Sequence, residues 1–303
     1  MGVLSAQRLW IVTGKGGVGK STVAAGLALA SAREGKRTLV CEINATERIS
    51  GLLGHPEAGP EIRLLEKNLW AVNVQPPEAM REYGLMVLRF ETLYKTVFEN
   101  RIVRYFLRFI PSLQELVLLG KVLFHLDEKL PDGRPRYERI VMDAPATGHA
   151  IAFLSVPQVI LDTVPPGPMA NQAKKMRDLL ADRGTTGTVL VSLPEEMPVN
   201  ETVDLHRALT GEVKIPVSAA VLNMYTAQRF TEADVAAVPE PLREAVRAHF
   251  LREGFSAEAE ERLRRELGLP IVRVPRLFGT AAHGREGVER FSESLRPLWE
   301  AAK

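Results

Sequence analysis

The stretch from Leu9 to Thr22, LWIVTGKGGVGKST, constrains this chain more tightly than any other. An apolar run is followed by a loop with four glycines and then by an alanine-rich segment. This order predicts a buried strand, a tight loop and a helix, which is the context that the phosphate-binding motif G-x-x-x-x-G-K-S/T requires. The glycines allow successive backbone N–H groups to turn inward around a polyphosphate at the start of the helix.

Each fixed position of this motif is filled, and each predicts a role. Lys20 should reach the β- and γ-phosphates of a nucleotide, and the Ser21 hydroxyl should ligate Mg²⁺. The sequence therefore predicts that the chain binds ATP or ADP together with Mg²⁺. The residues expected to contact the phosphates are Gly14, Lys15, Gly16, Gly17, Val18, Gly19, Lys20, Ser21 and Thr22.

A second lysine, Lys15, directly follows the first glycine of the loop. Its ammonium group repels that of Lys20 unless an anion lies between them, so a functional role is favoured over a solvated loop charge. The loop resembles the deviant Walker A motif of the MinD, ParA and ArsA class of ATPases. That resemblance implies that Lys15 crosses a dimer interface to the nucleotide of the partner, so that two nucleotides lie between two protomers.

The chain is long and apolar enough to bury one large core. It has 303 residues, 46% of them hydrophobic, and we predict a single domain over residues 1–303. The net charge is +2, so no overall field favours nucleic acid or a membrane surface as the partner. The single cysteine, Cys41, suits a reducing cytosol, and the apolar runs are too short to span a bilayer. We therefore expect a cytoplasmic protein.

Apolar runs that alternate with helical segments predict an α/β fold with a mostly parallel, doubly wound sheet. Ligands of such sheets gather at the carboxyl ends of the strands, so the loop after the second strand should face the phosphates. The strands predicted after the first one are 37–42, 69–74, 137–143, 188–192 and 215–222.

The predicted strand 137–143 ends in Asp143. An apolar strand with a terminal aspartate, in a chain with a phosphate loop, is typical of the Walker B arrangement, in which the carboxylate orders Mg²⁺ and its waters. The metal ligands predicted from sequence are therefore Ser21 and Asp143. The chain continues from this aspartate as DAPATGH and then enters a predicted helix.

The segment D-x-P-x-T-G-H resembles switch II of the ArsA branch, which contains the arsenite-pump ATPase and the guided-entry ATPase that delivers tail-anchored membrane proteins. The resemblance covers essentially the full length of the chain. It implies that Gly148 senses the γ-phosphate through its backbone N–H, and that Thr147 and His149 transmit the nucleotide state to a helical layer. The adenine contacts that it implies are Asn223, Pro275 and Arg276.

The stretch from about 78 to 128 is more continuously apolar than ordinary surface helices. Ser112, followed three residues later by Glu115, predicts a capping box at the start of one of its helices. Two interpretations stay open: a helical layer packed into the core, which the sequence favours, and an apolar surface kept for a protein client. The resemblance implies that residues of about 78–128 and 165–184 together form a helical subdomain.

The loop after the second strand departs from the family pattern. Switch I of the family has an aspartate there, which holds the attacking water, and the corresponding residue is Asn44. An amide cannot accept a proton, so the loss of a general base would cost about 10² to 10⁴ in rate. Glu42 lies two residues earlier on the same face of the strand and is a possible substitute. The predicted catalytic residues are Lys15, Glu42, Asn44 and Gly148.

Three functions are compatible with these features. The first is an ATP-driven switch, a homodimer or a heterodimer with a paralogue, that opens and closes an apolar groove for a protein client. The second, favoured by Asn44, is a nucleotide-binding but poorly hydrolysing subunit that pairs with an active paralogue. The third is a ParA-like or MinD-like positioning ATPase on DNA or membrane.

The third function is disfavoured by DAPATGH, by the small net charge and by the last predicted helix, 284–302. Its charged face balances acids against bases, whereas an anionic membrane selects a basic excess. We expect this helix to dock on its own domain, and we expect no nucleic acid and no integral membrane segment.

Overall fold

A single eight-stranded sheet runs through the residues described by the structure, a computed structural model covering 2–88, 112–279 and 284–300. The strands are β1 (Leu9–Gly14), β2 (Thr38–Ile43), β3 (Arg63–Glu66), β4 (Leu69–Val74), β5 (Arg139–Ala146), β6 (Thr186–Ser192), β7 (Val217–Tyr225) and β8 (Ile271–Pro275). Their order is β3-β4-β2-β5-β1-β6-β7-β8, and only the β3–β4 pair is antiparallel. The predicted α/β class with a mostly parallel sheet is confirmed.

Helices cover both faces of this sheet. They are α1 (Lys20–Arg33), α2 (Ile49–Leu52), α3 (Pro76–Leu88), α4 (Leu113–Asp127), α5 (Thr147–Thr163), α6 (Pro168–Ala181), α7 (Glu196–Arg207), α8 (Glu232–Ala237), α9 (Glu240–Leu267) and α10 (Gly284–Leu295). Helices α1, α2 and α10 bury their apolar residues in the core on one face. The core on the other face is built by α3, α4, α5, α6, α7 and α9.

The alanine-rich composition of α1 suits its position between the sheet and α10. Every residue from Val23 to Ala32 is buried. The helices approach so closely that a methyl group added at Gly26 would lie 3.2 Å from Cδ1 of Leu295. Small side chains therefore allow α1 to be covered on two sides while its first turn stays at the carboxyl end of β1.

The structure corrects two expectations about helix ends. Ser112 lies in the left-handed region with φ of 59° and makes no side-chain cap hydrogen bond, so the predicted capping box is wrong. The last helix ends at Leu295 and is followed by a 3₁₀ turn, Arg296–Leu298, because Pro297 has no N–H and cannot continue an α-helix. The antiparallel strand β3 was not predicted, since its short segment is half exposed and lacks an apolar run.

The helical layer lies partly within the described residues. Helix α4 buries Leu116, Leu119 and Val122 completely in the core, which confirms that this segment is core along one side. Phe124 on the same helix is 54% exposed. Residues 89–111, which belong to the predicted helical subdomain, lie outside the described part of the chain.

The remaining helices differ in how far they are buried. Helix α8 buries no residue, and the buried positions of α9 begin only at Glu253. Among the helices that the structure describes, none combines the length and the apolar character that a membrane crossing requires. Helix α10 docks on the chain through Val288, Phe291 and Leu295, as the sequence predicts.

We predict that Leu295→Ala destabilises the folded chain by about 2–5 kcal/mol, because a fully buried leucine leaves a cavity between α1 and α10. The matched control is Leu242→Ala on α9, where the side chain is 59% exposed and the expected change is within about 0.5 kcal/mol. Urea unfolding followed by circular dichroism measures both values. Equal effects of the two substitutions would show that α10 is not docked as described.

Candidate functional site

The glycine-rich loop joins β1 directly to α1, and its glycines have identifiable steric reasons. Gly14, Gly17 and Gly19 have positive φ of 153°, 86° and 94°. A methyl group at Gly14 would overlap the carbonyl oxygen of Val191 on β6, and one at Gly19 would lie 2.5 Å from Nδ2 of Asn223. The loop therefore follows one backbone path that larger residues cannot adopt.

Lys20, the first residue of α1, points back over this loop. Its Nζ donates a hydrogen bond of 3.1 Å to the carbonyl oxygen of Lys15. Partial burial lowers the pKa of Lys20, the nearby Asp143 carboxylate opposes that shift, and the Arg48 guanidinium adds to it. A cation that is partly desolvated and close to another cation is well placed to gain from a bound phosphate.

Ser21 and Asp143 meet at the carboxyl ends of β1 and β5. The Ser21 hydroxyl donates a hydrogen bond of 2.6 Å to Oδ2 of Asp143. Burial raises the pKa of the Asp143 carboxyl, while the Ser21 hydrogen bond and the charges of Lys20 and Arg48 lower it. The other oxygen, Oδ1, is buried and has no hydrogen-bond partner among the described residues.

The oxygens of Ser21 and Asp143 fit the donor set that Mg²⁺ prefers when it is held by few protein ligands and by phosphate oxygens. The unpartnered Oδ1 of Asp143 is the observation in favour, since a buried carboxylate oxygen normally has a partner. A Mg²⁺ ion would be held by Ser21 directly and by Asp143 or its bound water, as the sequence predicts.

The switch I loop follows β2, the neighbour of β5, and Glu42 lies directly opposite Asp143 in the register. Its carboxylate oxygens accept backbone hydrogen bonds from Arg48 at 2.8 Å and from Ile49 at 3.2 Å. Burial raises the pKa of Glu42 to about 7, against the effect of these hydrogen bonds and with a contribution from Asp143. In this conformation Glu42 orders the start of α2, and the substitute catalytic role predicted for it stays a prediction.

Asn44 lies at the exposed beginning of the same loop. Its φ is 44°, in the left-handed region that Asn and Asp adopt more readily than other residues with side chains. Its backbone N–H donates a hydrogen bond of 2.9 Å to the carbonyl oxygen of Val74, which fixes the loop to β4. The backbone at this position would accept an aspartate without rearrangement.

Glu201 on α7 is a site residue that sequence analysis missed. Its Oε1 lies 2.5 Å from Nζ of Lys15, and its Oε2 accepts a 3.2 Å hydrogen bond from the Thr147 hydroxyl. The hydrogen bond from Lys15 lowers the pKa of Glu201. One carboxylate thus joins the phosphate loop to switch II. The sequence offered no local signal for it, because its partners Lys15 and Thr147 are 186 and 54 residues away along the chain.

Switch II forms the start of α5, which begins at Thr147. Gly148 and His149 are exposed in the first turn, and no side chain caps that turn. Backbone N–H groups of a first helical turn lack intrahelical acceptors and favour anions. The position is compatible with the predicted γ-phosphate contact of Gly148.

The residues predicted to surround adenine lie together where β7 and β8 end. The backbone N–H of Arg276 donates to the carbonyl oxygen of Tyr225 at 3.0 Å, and both Pro275 and Arg276 are exposed. Asn223 is buried, its Nδ2 donates 2.8 Å to the carbonyl oxygen of Val18, and its Oδ1 accepts from the Met224 N–H. Asn223 therefore braces the phosphate loop, and one N–H of its amide remains for the predicted adenine contact.

A parallel sheet with a glycine-rich loop between β1 and α1, and with a buried aspartate on the adjacent β5, defines the class of P-loop nucleotide triphosphatases. Comparison with known proteins refines this class. The sequence model of the ArsA ATPase family, described as an anion-transporting ATPase, matches residues 7–165.

Similar proteins occur in several organisms. ATPase BagA of Mycobacterium tuberculosis is 30% identical over 260 residues, which cover 83% of this chain and 75% of the relative. A putative arsenical pump-driving ATPase of Halobacterium salinarum is 27% identical and covers 71% of this chain and 35% of its own. ATPase GET3C of Arabidopsis thaliana is 22% identical and covers 74% and 68%. The chain belongs to the ArsA family of ATPases.

We predict that alanine substitutions at two glycines of the loop affect different properties, one the stability of the fold and the other the binding of nucleotide. Gly19→Ala should lower the free energy of unfolding by about 1–3 kcal/mol, because alanine is strained at φ of 94° and meets Asn223. Gly16→Ala should leave stability unchanged, since its methyl group meets no protein atom within 4 Å. It should still weaken nucleotide binding by about tenfold or more, because the methyl group fills the space of the phosphates.

Thermal unfolding without nucleotide and titration with fluorescent ADP measure the two effects. Wild-type affinity of Gly16→Ala would contradict the assignment of the open side of the loop to phosphate.

Proposed function

We propose that this ATPase is a dimeric switch in which Mg-ATP binding and hydrolysis open and close an apolar surface for a protein client. One observation carries the proposal: α5 begins at the phosphate side with Thr147 and packs against α4 and α6, which line an apolar cavity. A change at the first turn of α5 therefore has a direct mechanical route to the cavity walls.

The cavity lies between α3, α4 and α6 and has a volume of about 390 Å³. Its lining is mainly apolar and includes Val117, Leu123, Phe124, Met176 and Leu179. Flexible methionine and exposed aromatic side chains adapt to varied apolar partners. The rim carries ion pairs between Lys121 and Glu82 and between Lys175 and Asp127. An apolar site with a charged rim suits an amphipathic or apolar peptide segment.

The ion pair of Lys15 with Glu201 within one protomer represents the state of the switch before two protomers pair. For Lys15 to reach a nucleotide across a dimer interface, this pair must break. Their side chains are 25% and 35% exposed, and ion pairs with such exposure contribute about 0–1 kcal/mol, so a phosphate charge readily outcompetes the carboxylate. The other oxygen of Glu201 accepts the hydrogen bond of the Thr147 hydroxyl, so departure of Lys15 removes the counter-charge of the carboxylate that holds switch II. Nucleotide-driven pairing of two protomers would thereby alter switch II.

The site residues would act together on the bound nucleotide. Lys20 and the loop N–H groups bind and orient the phosphates, Gly148 meets the γ-phosphate, and the β7 and β8 ends hold the base. Mg²⁺, when bound by Ser21 and Asp143, neutralises charge on the phosphates. Residues Asn44 and Glu42 stand nearest to the position of an attacking water in the family pattern.

A protein client is favoured over arsenite. The family's arsenite site needs more than one cysteine, and Cys41 is the only cysteine in the sequence. It is buried in β2, and burial raises the pKa of its thiol to about 12, so it stays protonated. The mainly apolar lining of the cavity supports a client of apolar character.

We predict that a non-hydrolysable ATP analogue with Mg²⁺ drives dimerisation, whereas ADP does not. Lys15→Ala should bind nucleotide within about threefold of wild type but stay monomeric, because its side chain acts across the interface. Lys20→Ala should lose binding as well. Analytical ultracentrifugation gives the mass, and hydrogen exchange of α4 and α6 reports the cavity walls. An ATP-dependent dimer of Lys15→Ala would refute the role of Lys15 across the interface. Identical exchange in both nucleotides would refute the switch.

A second candidate function is a nucleotide-binding subunit that hydrolyses ATP slowly and pairs with an active paralogue. The observation in its favour is the switch I loop. Asn44 offers no carboxylate, and both oxygens of Glu42 are occupied by the backbone of Arg48 and Ile49. Binding residues are complete, whereas no carboxylate of the loop is free to activate water.

We predict that Asn44→Asp raises the turnover of ATP by about tenfold or more, because a carboxylate returns beside the attacking water. Stability should change little, since the position is exposed and its left-handed backbone accepts aspartate. Glu42→Gln is the control: it should loosen the start of α2 without abolishing turnover. Phosphate release measures all variants. Brisk hydrolysis by wild type that Glu42→Gln abolishes would instead assign catalysis to Glu42.

A further inference from the structure

Arg48 is held close to the phosphate loop by its backbone. Its N–H donates to Glu42, which lies opposite Asp143 on the neighbouring strand, and Asp143 in turn contacts Ser21. Helix α2, which begins directly after Arg48, packs against α1. Neighbouring strands are about 4.8 Å apart, so an arginine side chain at this position is long enough to reach the site between β1 and β5.

The guanidinium group of Arg48 has no carboxylate partner within the described residues. Its side chain is exposed, and no ion pair or side-chain hydrogen bond of Arg48 occurs in that part of the chain. The adjacent acids are occupied, since Glu47 accepts the N–H groups of Ala58 and Gly59 while Glu42 caps α2. Its charge nevertheless acts on both Lys20 and Asp143, lowering the pKa of each.

The positive charges of Arg48 and Lys20 both act on the single Asp143 carboxylate, whose one negative charge does not balance two cations. An additional anionic ligand at this place is therefore favourable. Guanidinium groups bind phosphate oxygens with two parallel hydrogen bonds, which favours arginine at phosphate sites. Lys20 belongs to the first turn of α1 and Arg48 directly precedes α2, so a ligand that contacts both side chains lies between the phosphate loop and the start of α2.

We propose that Arg48 binds the terminal phosphate of the nucleotide held by its own protomer. The inference rests on the proposed nucleotide switch. It assigns to switch I a cation that strengthens ATP binding, at a loop where Asn44 leaves no carboxylate for water activation. The loop then distinguishes ATP from ADP by direct contact with the phosphate that only ATP carries.

If Arg48 had a purely structural role, Arg48→Ala would lower the unfolding temperature of the chain without nucleotide. Helix α2 begins without any side-chain cap from Arg48, and both hydrogen bonds to Glu42 come from backbone N–H groups. Arg48→Ala therefore keeps every contact that orders the loop and removes only the guanidinium. We expect its unfolding temperature without nucleotide to equal that of wild type.

Titration calorimetry with Mg²⁺ and either ADP or a non-hydrolysable ATP analogue tests the assignment. Arg48→Ala should raise the Kd of the ATP analogue by about tenfold or more, as expected for a charge-assisted hydrogen bond, and that of ADP by less than about threefold. Arg48→Lys should recover part of the loss. Arg63→Ala, an exposed arginine on β3, is the matched control and should change neither value.

Equal weakening of both nucleotides, or no weakening of either, would overturn the terminal-phosphate contact. These results leave the switch itself intact, because ATP-driven dimerisation of wild type is measured separately. A wild-type chain that binds neither nucleotide would overturn the switch and this inference together.

Discussion

Parallel pairing of β5 with both β1 and β2 is the constraint on which the site depends. The register brings the end of β1, which opens the phosphate loop, and the end of β2, which opens switch I, to the two sides of Asp143. Ser21, Glu42 and Asp143 therefore meet although they come from three separate segments of the chain. A shift of one residue in either pairing would turn side chains of the shifted strand to the opposite face of the sheet, and the residues of the site would no longer lie together.

Features encoded by local spacing were predictable from the sequence. The phosphate loop, the aspartate near the end of β5 and the apolar face of α10 were recognised because each lies within one short segment. Glu201 was missed because its partner Lys15 is 186 residues away, and sequence spacing gives no information about such a contact. Ser112 shows the limit of such reasoning: the local pattern of a capping box is present, but the residue has a left-handed backbone and its side chain makes no cap.

The switch I loop shows how a change of residue type alters a site whose framework is preserved. Asn44 keeps the left-handed turn and its hydrogen bond to β4, so the loop needs no aspartate for its shape. Glu42 keeps a carboxylate near Asp143, yet it is used to hold the backbone of the next helix. Arg48 adds a positive charge to this loop, which lowers the pKa of Lys20. Shape and chemistry have separated here, because the turn at Asn44 is held through its backbone N–H.

The shared carboxylate of Glu201 has a thermodynamic consequence. Because Lys15 and Thr147 bind its two oxygens, withdrawal of one partner changes the free energy of holding the other. Linkage between two equilibria is reciprocal. If departure of Lys15 changes the equilibrium constant for movement of α5 by some factor, movement of α5 changes the equilibrium constant for departure of Lys15 by the same factor. If a ligand bound to α5 shifts its position, the affinity of Glu201 for Lys15 at the phosphate loop changes. The coupling free energy is the same as that by which the Lys15 contact changes the affinity of the ligand.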